Sequence, residues 1–186
     1  MRVSHPSLLA AGRAMAEMRD AMVAQWAARL GERMTAAPTI PRSTVERQLR
    51  LLVGTLAEMV GPLRRETREI WFQSCEFYGR LGTARGLAAG EVVEEMQFLR
   101  EVLIRRLAPV LALMRPRQAM AIILRLNALL DKGIAVAVVG YTDSLVATLF
   151  SRNGVPAEDR EVDAIEVDRQ LEAIEGQLAA VTRARD

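Results

Sequence analysis

Apolar residues recur every three or four positions along most of the chain, the period of an amphipathic helix. Met15, Met18, Met22, Trp26, Leu30 and Met34 trace one face and predict a first helix from about Ser7 to Met34. The prolines of TAAPTIP then break it. Ser43-Thr44-Val45-Glu46 has the S-x-x-E form of a capping box, so a second helix is expected with Leu49, Leu52, Val53, Leu56 and Val60 inward. Gly61-Pro62 separates it from a third, since proline suits the first helical position. Leu63, Thr67, Ile70, Trp71, Ser74, Tyr78 and Leu81 form the inner stripe of that third helix. A fourth starts between Ala88 and Glu91 and carries Val92, Met96, Leu99, Val102, Leu103 and Leu107, until Pro109 kinks or ends it. Pro116 opens a fifth that reaches about Phe150. It is apolar on most of its circumference, the pattern of a central buried helix. Asn153-Gly154 is a stop signal.

The tail has a different rhythm. Ala164, Val167, Leu171, Ile174, Leu178 and Val181 alternate spacings of three and four, as successive a and d positions of a heptad do. Two arrangements fit: a coiled-coil-like helix that projects and pairs, or a last helix docked on the bundle. Residues 156–186 hold nine acids against four arginines, whereas the rest of the chain is net basic. That asymmetry favours a projecting signalling or dimerisation helix and divides the chain into 1–155, a sensor or regulatory bundle, and 156–186.

Composition sharpens the fold class. The chain has 186 residues, 51% hydrophobic but only 4% aromatic, so aliphatic side chains and nine methionines must fill the core. Alanine, leucine, arginine, glutamate and methionine are good helix formers. The expectation is a single all-α bundle of about five helices. The formal charge of +2 is scattered, and no basic run interleaves with aromatics, so nucleic acid is not an expected partner. The longest uncharged stretch of the fifth helix, Gly133 to Thr142, is far short of the roughly 20 residues a membrane span needs. The N-terminal apolar run Leu8 to Ala11 is shorter than a signal-peptide core. With one cysteine, Cys75, no internal disulfide forms, which fits a cytoplasmic location.

Residues 78–91, YGRLGTARGLAAGE, hold glycines at 79, 82, 86 and 90. They match neither G-x-G-x-x-G nor G-x-x-x-x-G-K-[ST], and no strand precedes them, so a phosphate loop is disfavoured. The economical reading is an α–α corner. Gly79 and Gly82 sit in a closely packed late part of the third helix, Gly86 ends it in the left-handed conformation, and Gly90 falls in the first turn of the fourth.

The stretch FYGRLGTARGLAAGEVVEEMQFLREVLIRRL, with Arg85 or Arg80 before Gly86 and then Glu94 or Glu95, Phe98, Leu99 and Arg100, resembles the N-terminal domain of RsbT co-antagonist (RsbRD) proteins. LNALLDKGIAVAVVGYTDSL, with Asn127, Asp131 and Tyr141, fits the same pattern, and the resemblance spans roughly residues 8 to 150. It implies a non-enzymatic input or scaffolding module of bacterial signalling and stress response, dimeric, related to domains at the front of some sensor histidine kinases. Some regulatory relatives are globin-like, which here would be haem-free. At the third-helix position where several relatives carry histidine, this chain has Glu76 or Phe77, so a function needing that histidine is not implied. Nothing after Tyr141 is long enough for a kinase or STAS output, so the chain reads as a stand-alone regulator or a piece of a longer one.

Candidate chemistry is sparse. His5 is the only histidine and lies at the terminus, so neither a haem ligand nor a zinc site is expected, and no cofactor or metal is assigned. No E-x-x-H motif supports a di-iron bundle. Without a well-placed histidine or lysine, no nucleophile and base pair can be assembled, which reads as a non-enzyme. Glu91, Glu94 and Glu95 suit the positive end of the fourth helix. Cys75 is expected as a buried structural thiol beside Trp71. Asn127 and Asp131, four apart on the most apolar helix, need partners; Arg100 is the expected one for Asp131, in a buried ion pair. The rival is a small-ligand pocket lined by Trp71, Cys75, Met96, Leu99, Asn127 and Asp131, with Met15, Met18, Met22 and Met120 as further lining. Val167, Leu171, Ile174, Leu178 and Val181 are the expected dimer or partner face. The leading function is a contact-driven signalling module acting with a protein partner, biased by a small apolar ligand. The alternatives are a hydrophobic ligand carrier and a structural dimeric adaptor.

Overall fold

The computed structural model describes residues 5–31, 40–61, 65, 67–152 and 164–183. Among them are seven helices and no strand: α1 His5–Glu17, α2 Arg19–Leu30, α3 Arg42–Val60, α4 Arg68–Ala84, α5 Ala89–Ala112, α6 Pro116–Arg152 and α7 Ala164–Arg183. The fold is all-α. Met34, Leu63, Pro62, the Asn153-Gly154 stop and the 155/156 boundary lie outside the described residues.

The expected single first helix is two. Met18 has φ −94° and ψ 6°, off the helical value, yet Met18 N–H still donates to Ala14 and Met22 N–H to Met18. The result is a bend rather than a loop. It lets α1 pack on α3, α5 and α6 while α2 packs on α3 and α5, with Met15 and Met22 both fully buried. Six helices therefore precede the tail helix where five were expected. The helix ends at Gly31, φ 55°, whose N–H donates to Ala27.

Two local expectations also change. The Ser43 capping box does not form. Pro41, extended at φ −61° and ψ 141°, is the N-cap of α3, and Glu46 accepts from Arg42 Nε at 2.9 Å instead. Pro109 does not end α5, which runs on to Ala112. A proline this near the C-terminus removes only one hydrogen bond, and buried Leu107 and Leu111 hold the last turns on the core. The capping function at α5 falls to Glu91, whose carboxylate accepts from Ala88 N–H at 2.8 Å.

The third-helix stripe is where periodicity places it: Thr67, Ile70, Trp71, Ser74, Tyr78 and Leu81 are all buried. α6 packs most extensively on α4, at backbone contact. A carbon added at Gly79 would lie 1.8 Å from the Ala137 carbonyl oxygen, and one at Gly140 would lie 2.3 Å from that of Glu76. The α4–α5 corner ends in a Schellman arrangement. Gly86 has φ +74°, its N–H donates to Thr83 at 3.0 Å, and Leu87 N–H donates to Gly82 at 3.0 Å. Tyr141 of α6 fastens to this corner, its hydroxyl donating to the Leu87 carbonyl at 3.0 Å.

α6 is not the enclosed central helix expected. Its inner face packs on α4 and α5, but Met120, Leu124, Val139 and Phe150 are exposed. An all-round apolar sequence reports what a helix could bury, not what covers it.

Candidate functional site

The tail helix and its seat are the candidate site, and α7 docks rather than projects. Leu171 and Ile174 are buried with Leu51 of α3 and with Ile70 and Phe77 of α4. Val167, Leu178 and Val181 flank them, partly buried. The buried members of this cluster are distinct from those of the main core, and Val167 packs against both. The heptad face thus meets the bundle of its own chain.

A polar clamp fixes the register. Arg47 of α3 donates through Nη1 to Asp168 Oδ1 at 3.2 Å and through Nη2 to Glu175 Oε2 at 2.8 Å. Asp168 and Glu175 are seven residues apart, two turns, and so share one side of α7. Thr44 Oγ1 also donates to Asp168 at 3.2 Å. The hydrogen bond to Glu175, followed by the fields of Glu175, Asp168 and Glu172, holds the Arg47 guanidinium above its ordinary range against partial burial. The sequence reading missed Arg47; the signal available was the two acids at heptad spacing beside Leu171 and Ile174.

A second polar construction lies inside the bundle, at the glycine corner. Arg85, the C-cap of α4, donates through Nη2 to Glu95 Oε1 at 2.8 Å and through Nη1 to Glu95 Oε2 at 3.0 Å. The side chains are 1% and 0% exposed. Tyr78 Oη donates to Glu95 Oε2 at 2.6 Å, and Trp26 Nε1 donates to the Glu95 carbonyl at 2.8 Å. Glu95 is therefore not the helix-end capping charge expected, but the acceptor that joins α2, α4 and α5. Burial pushes the Tyr78 phenol well up, helped by the Glu95 charge and opposed by Arg85. Burial alone would lower Arg85, but its hydrogen bond to Glu95 and the neighbouring charges hold it above its usual value. Arg85, Tyr78 and Trp26 all donate to Glu95, so the geometry is a structural tie between helices.

The residues expected to line a ligand pocket part company. Trp71, Cys75, Met96 and Leu99 are fully buried in the main core. They are packed closely there: a carbon added at Gly133 would sit 2.6 Å from Trp71 Cζ2 and 2.9 Å from Cys75 Sγ. Asn127 is half-buried, and its Oδ1 is shielded with no hydrogen-bond partner among the described residues. Arg100 and Asp131 do pair, but at the surface, with side chains 29% and 64% exposed. The pair is not buried because Asp131 lies on the outer side of α6. Met15, Met22 and Met96 fill the core, Met18 is half-buried, and Met120 is in solvent. Cys75 is a buried thiol that burial pushes well above its ordinary range.

Open space lies elsewhere. A cleft of about 400 Å³ runs between α2, α3 and α7, with Leu51, Gly54 and Leu178 as an apolar floor and Arg19, Arg50, Glu175 and Arg183 at its rim, Arg19 and Arg50 being paired with Asp20. Among the described residues no group of three His, Cys, Asp or Glu side chains is placed to hold a metal, and no helix is long and apolar enough to cross a membrane. Compared with family models, curated proteins and solved structures, the chain matches none.

Proposed function

We propose that the chain is a non-catalytic regulatory module of the bacterial signalling and stress-response type, acting in the cytoplasm by protein contact. The observation that carries this reading is the seat of α7. A heptad-patterned helix is held on the bundle by a small satellite cluster and a half-exposed clamp, Arg47 with Asp168 and Glu175. Releasing it opens the satellite cluster and leaves the main core intact, so local undocking is cheaper than unfolding. The freed face of Leu171, Ile174 and Leu178 suits pairing with an equivalent helix on a partner. The resemblance to RsbRD N-terminal domains, which act upstream of output domains, supports the same direction.

The test is native mass spectrometry of the full chain drawn gently from its own cells, beside the Arg47→Glu variant. A co-purifying protein enriched on the variant supports a partner that competes for α7. Equal recovery on both, or none, sinks the latch. The cleft, with its apolar floor of Leu51, Gly54 and Leu178, supports a second reading, a small apolar ligand held between α7 and the bundle. That reading predicts an adduct of a few hundred daltons on wild type, lost in Arg47→Glu.

A further inference from the structure

Gly54 is explained neither by its backbone nor by crowding. It lies in the interior of α3, where glycine weakens a helix relative to alanine. Its φ is not left-handed, unlike that of Gly31 and Gly86. Gly79, Gly82, Gly133 and Gly140 are required by close approach, since a carbon added at each would lie 2.6 Å or less from a neighbour. At Gly54 the nearest atoms would be Leu178 Cδ2 at 3.7 Å and Arg19 Cδ at 3.8 Å, which are ordinary contacts. The side chain it lacks would point into the cleft between α2, α3 and α7, and its absence deepens that space.

We propose that the cleft binds an uncharged aliphatic molecule with a single oxygen end, and that this molecule locks α7 onto the bundle. The proposal rests on the small-ligand reading of the cleft and on the release of α7, and adds the ligand's chemistry, the residue that makes room for it and the sign of its effect. Leu51, Leu178 and the alkyl stem of Arg19 present carbon to the space. At about 400 Å³ it falls near the lower end for small-molecule sites, which suits a chain of medium length. The rim charges are balanced among themselves: Arg19 and Arg50 share Asp20, and Arg47 holds Glu175. Nothing in that balance favours an ion. Arg183, in the last turn of α7, offers a donor to an alcohol or carbonyl oxygen. One wall, with Leu178 and Ala179, belongs to α7, and the floor belongs to α3. Undocking α7 therefore dismantles the site. A ligand that binds only the docked form stabilises it by mass action, and so opposes any partner that captures the freed helix.

Octanol is the probe, added to the full chain and read in two ways: saturation-transfer NMR of the alcohol, and hydrogen exchange of residues 164–183. At about ten times its dissociation constant, octanol should slow those amides about tenfold. Gly54→Leu fills the cleft. It should abolish saturation transfer and leave the same amides exchanging no faster than in wild type without octanol. Gly54→Ala gains helix preference but adds little volume, and should still bind. Transfer that survives in Gly54→Leu overturns the site, as does a Gly54→Leu chain whose α7 amides exchange faster, since the space is then not there. Octanol that binds but leaves the α7 amides unchanged overturns the lock. The two readings beneath the proposal fail separately. Octanol that never binds, with α7 still exchanging ahead of the core, sinks the ligand and spares the latch. Octanol that binds and is lost in Gly54→Leu, with α7 exchanging only as fast as the core, sinks the lock and spares the site.

Discussion

Arg85 and Glu95 meet through two parallel hydrogen bonds of 2.8 and 3.0 Å with both side chains out of solvent. Removing one member strands a buried charge, which typically costs about 3–5 kcal/mol. Arg85→Ala and Glu95→Ala should each lower urea stability by that order. The Arg85→Met/Glu95→Leu double variant should recover much of the loss, because the pair has offset its own desolvation rather than added a large surplus. Single variants within about 1 kcal/mol of wild type would show that water reaches the site.

The glycines separate by what surrounds them. Gly79→Ala drives a carbon to 1.8 Å from the Ala137 carbonyl oxygen, backbone against backbone, so α4 and α6 must part. A loss of about 3 kcal/mol or more is expected in thermal or urea unfolding. Gly90→Ala meets nothing within 4 Å at an exposed place in α5, and should gain about 0.5–1 kcal/mol of helix preference. Opposite signs at two glycines eleven residues apart would be the signature; equal signs would mean that the α4–α6 contact is looser than described.

Cys75 provides a probe of core opening. Burial raises its thiol well above the ordinary range, so at neutral pH it is both protonated and screened from reagent. A disulfide reagent should label it in denaturant within minutes and leave the native chain unmodified over hours. Raising the pH to about 9 should hasten native labelling by no more than it hastens labelling of the denatured chain, because the sulfur reacts only from an opened state. Fast stoichiometric labelling at pH 7 would place the sulfur at the surface.

Periodicity made much of this fold legible. The inner stripe of α4, the span of α6 and the heptad of α7 all follow from spacing, and the Gly86 corner from its chemistry. What stayed hidden were choices among partners. Leu171 and Ile174 read the same whether they face a second chain or Phe77 of their own, since an a/d stripe specifies a seat but not its owner. Glu91, Glu94 and Glu95 look alike at a helix start; only the tertiary approach of Arg85 and Tyr78 distinguishes Glu95. The bend at Met18 has no proline or glycine to announce it, because packing on two sets of helices imposes it. Asp131 reads as buried from its apolar neighbours, yet faces out, and with it the pocket dissolves.

The seat of α7 yields the most telling variant. Leu171 is fully buried in the satellite cluster, and Asp168 and Glu175 hold Arg47 on either side of it. Leu171→Asp places a carboxylate among Leu51, Ile70 and Phe77 and removes the apolar anchor, a loss of about 3 kcal/mol or more at that seat. Because the buried members of the cluster are distinct from those of the main core, the loss should appear as undocking. Amides of residues 164–183 should exchange much faster, while those of α5 and the first half of α6 keep their protection. Arg47→Glu should move the same amides the same way but less, and raising salt should mimic it weakly, since the clamp is half in solvent and screened. Uniformly faster exchange across all seven helices would mean that α7 is an integral part of the core and cannot act as a releasable element.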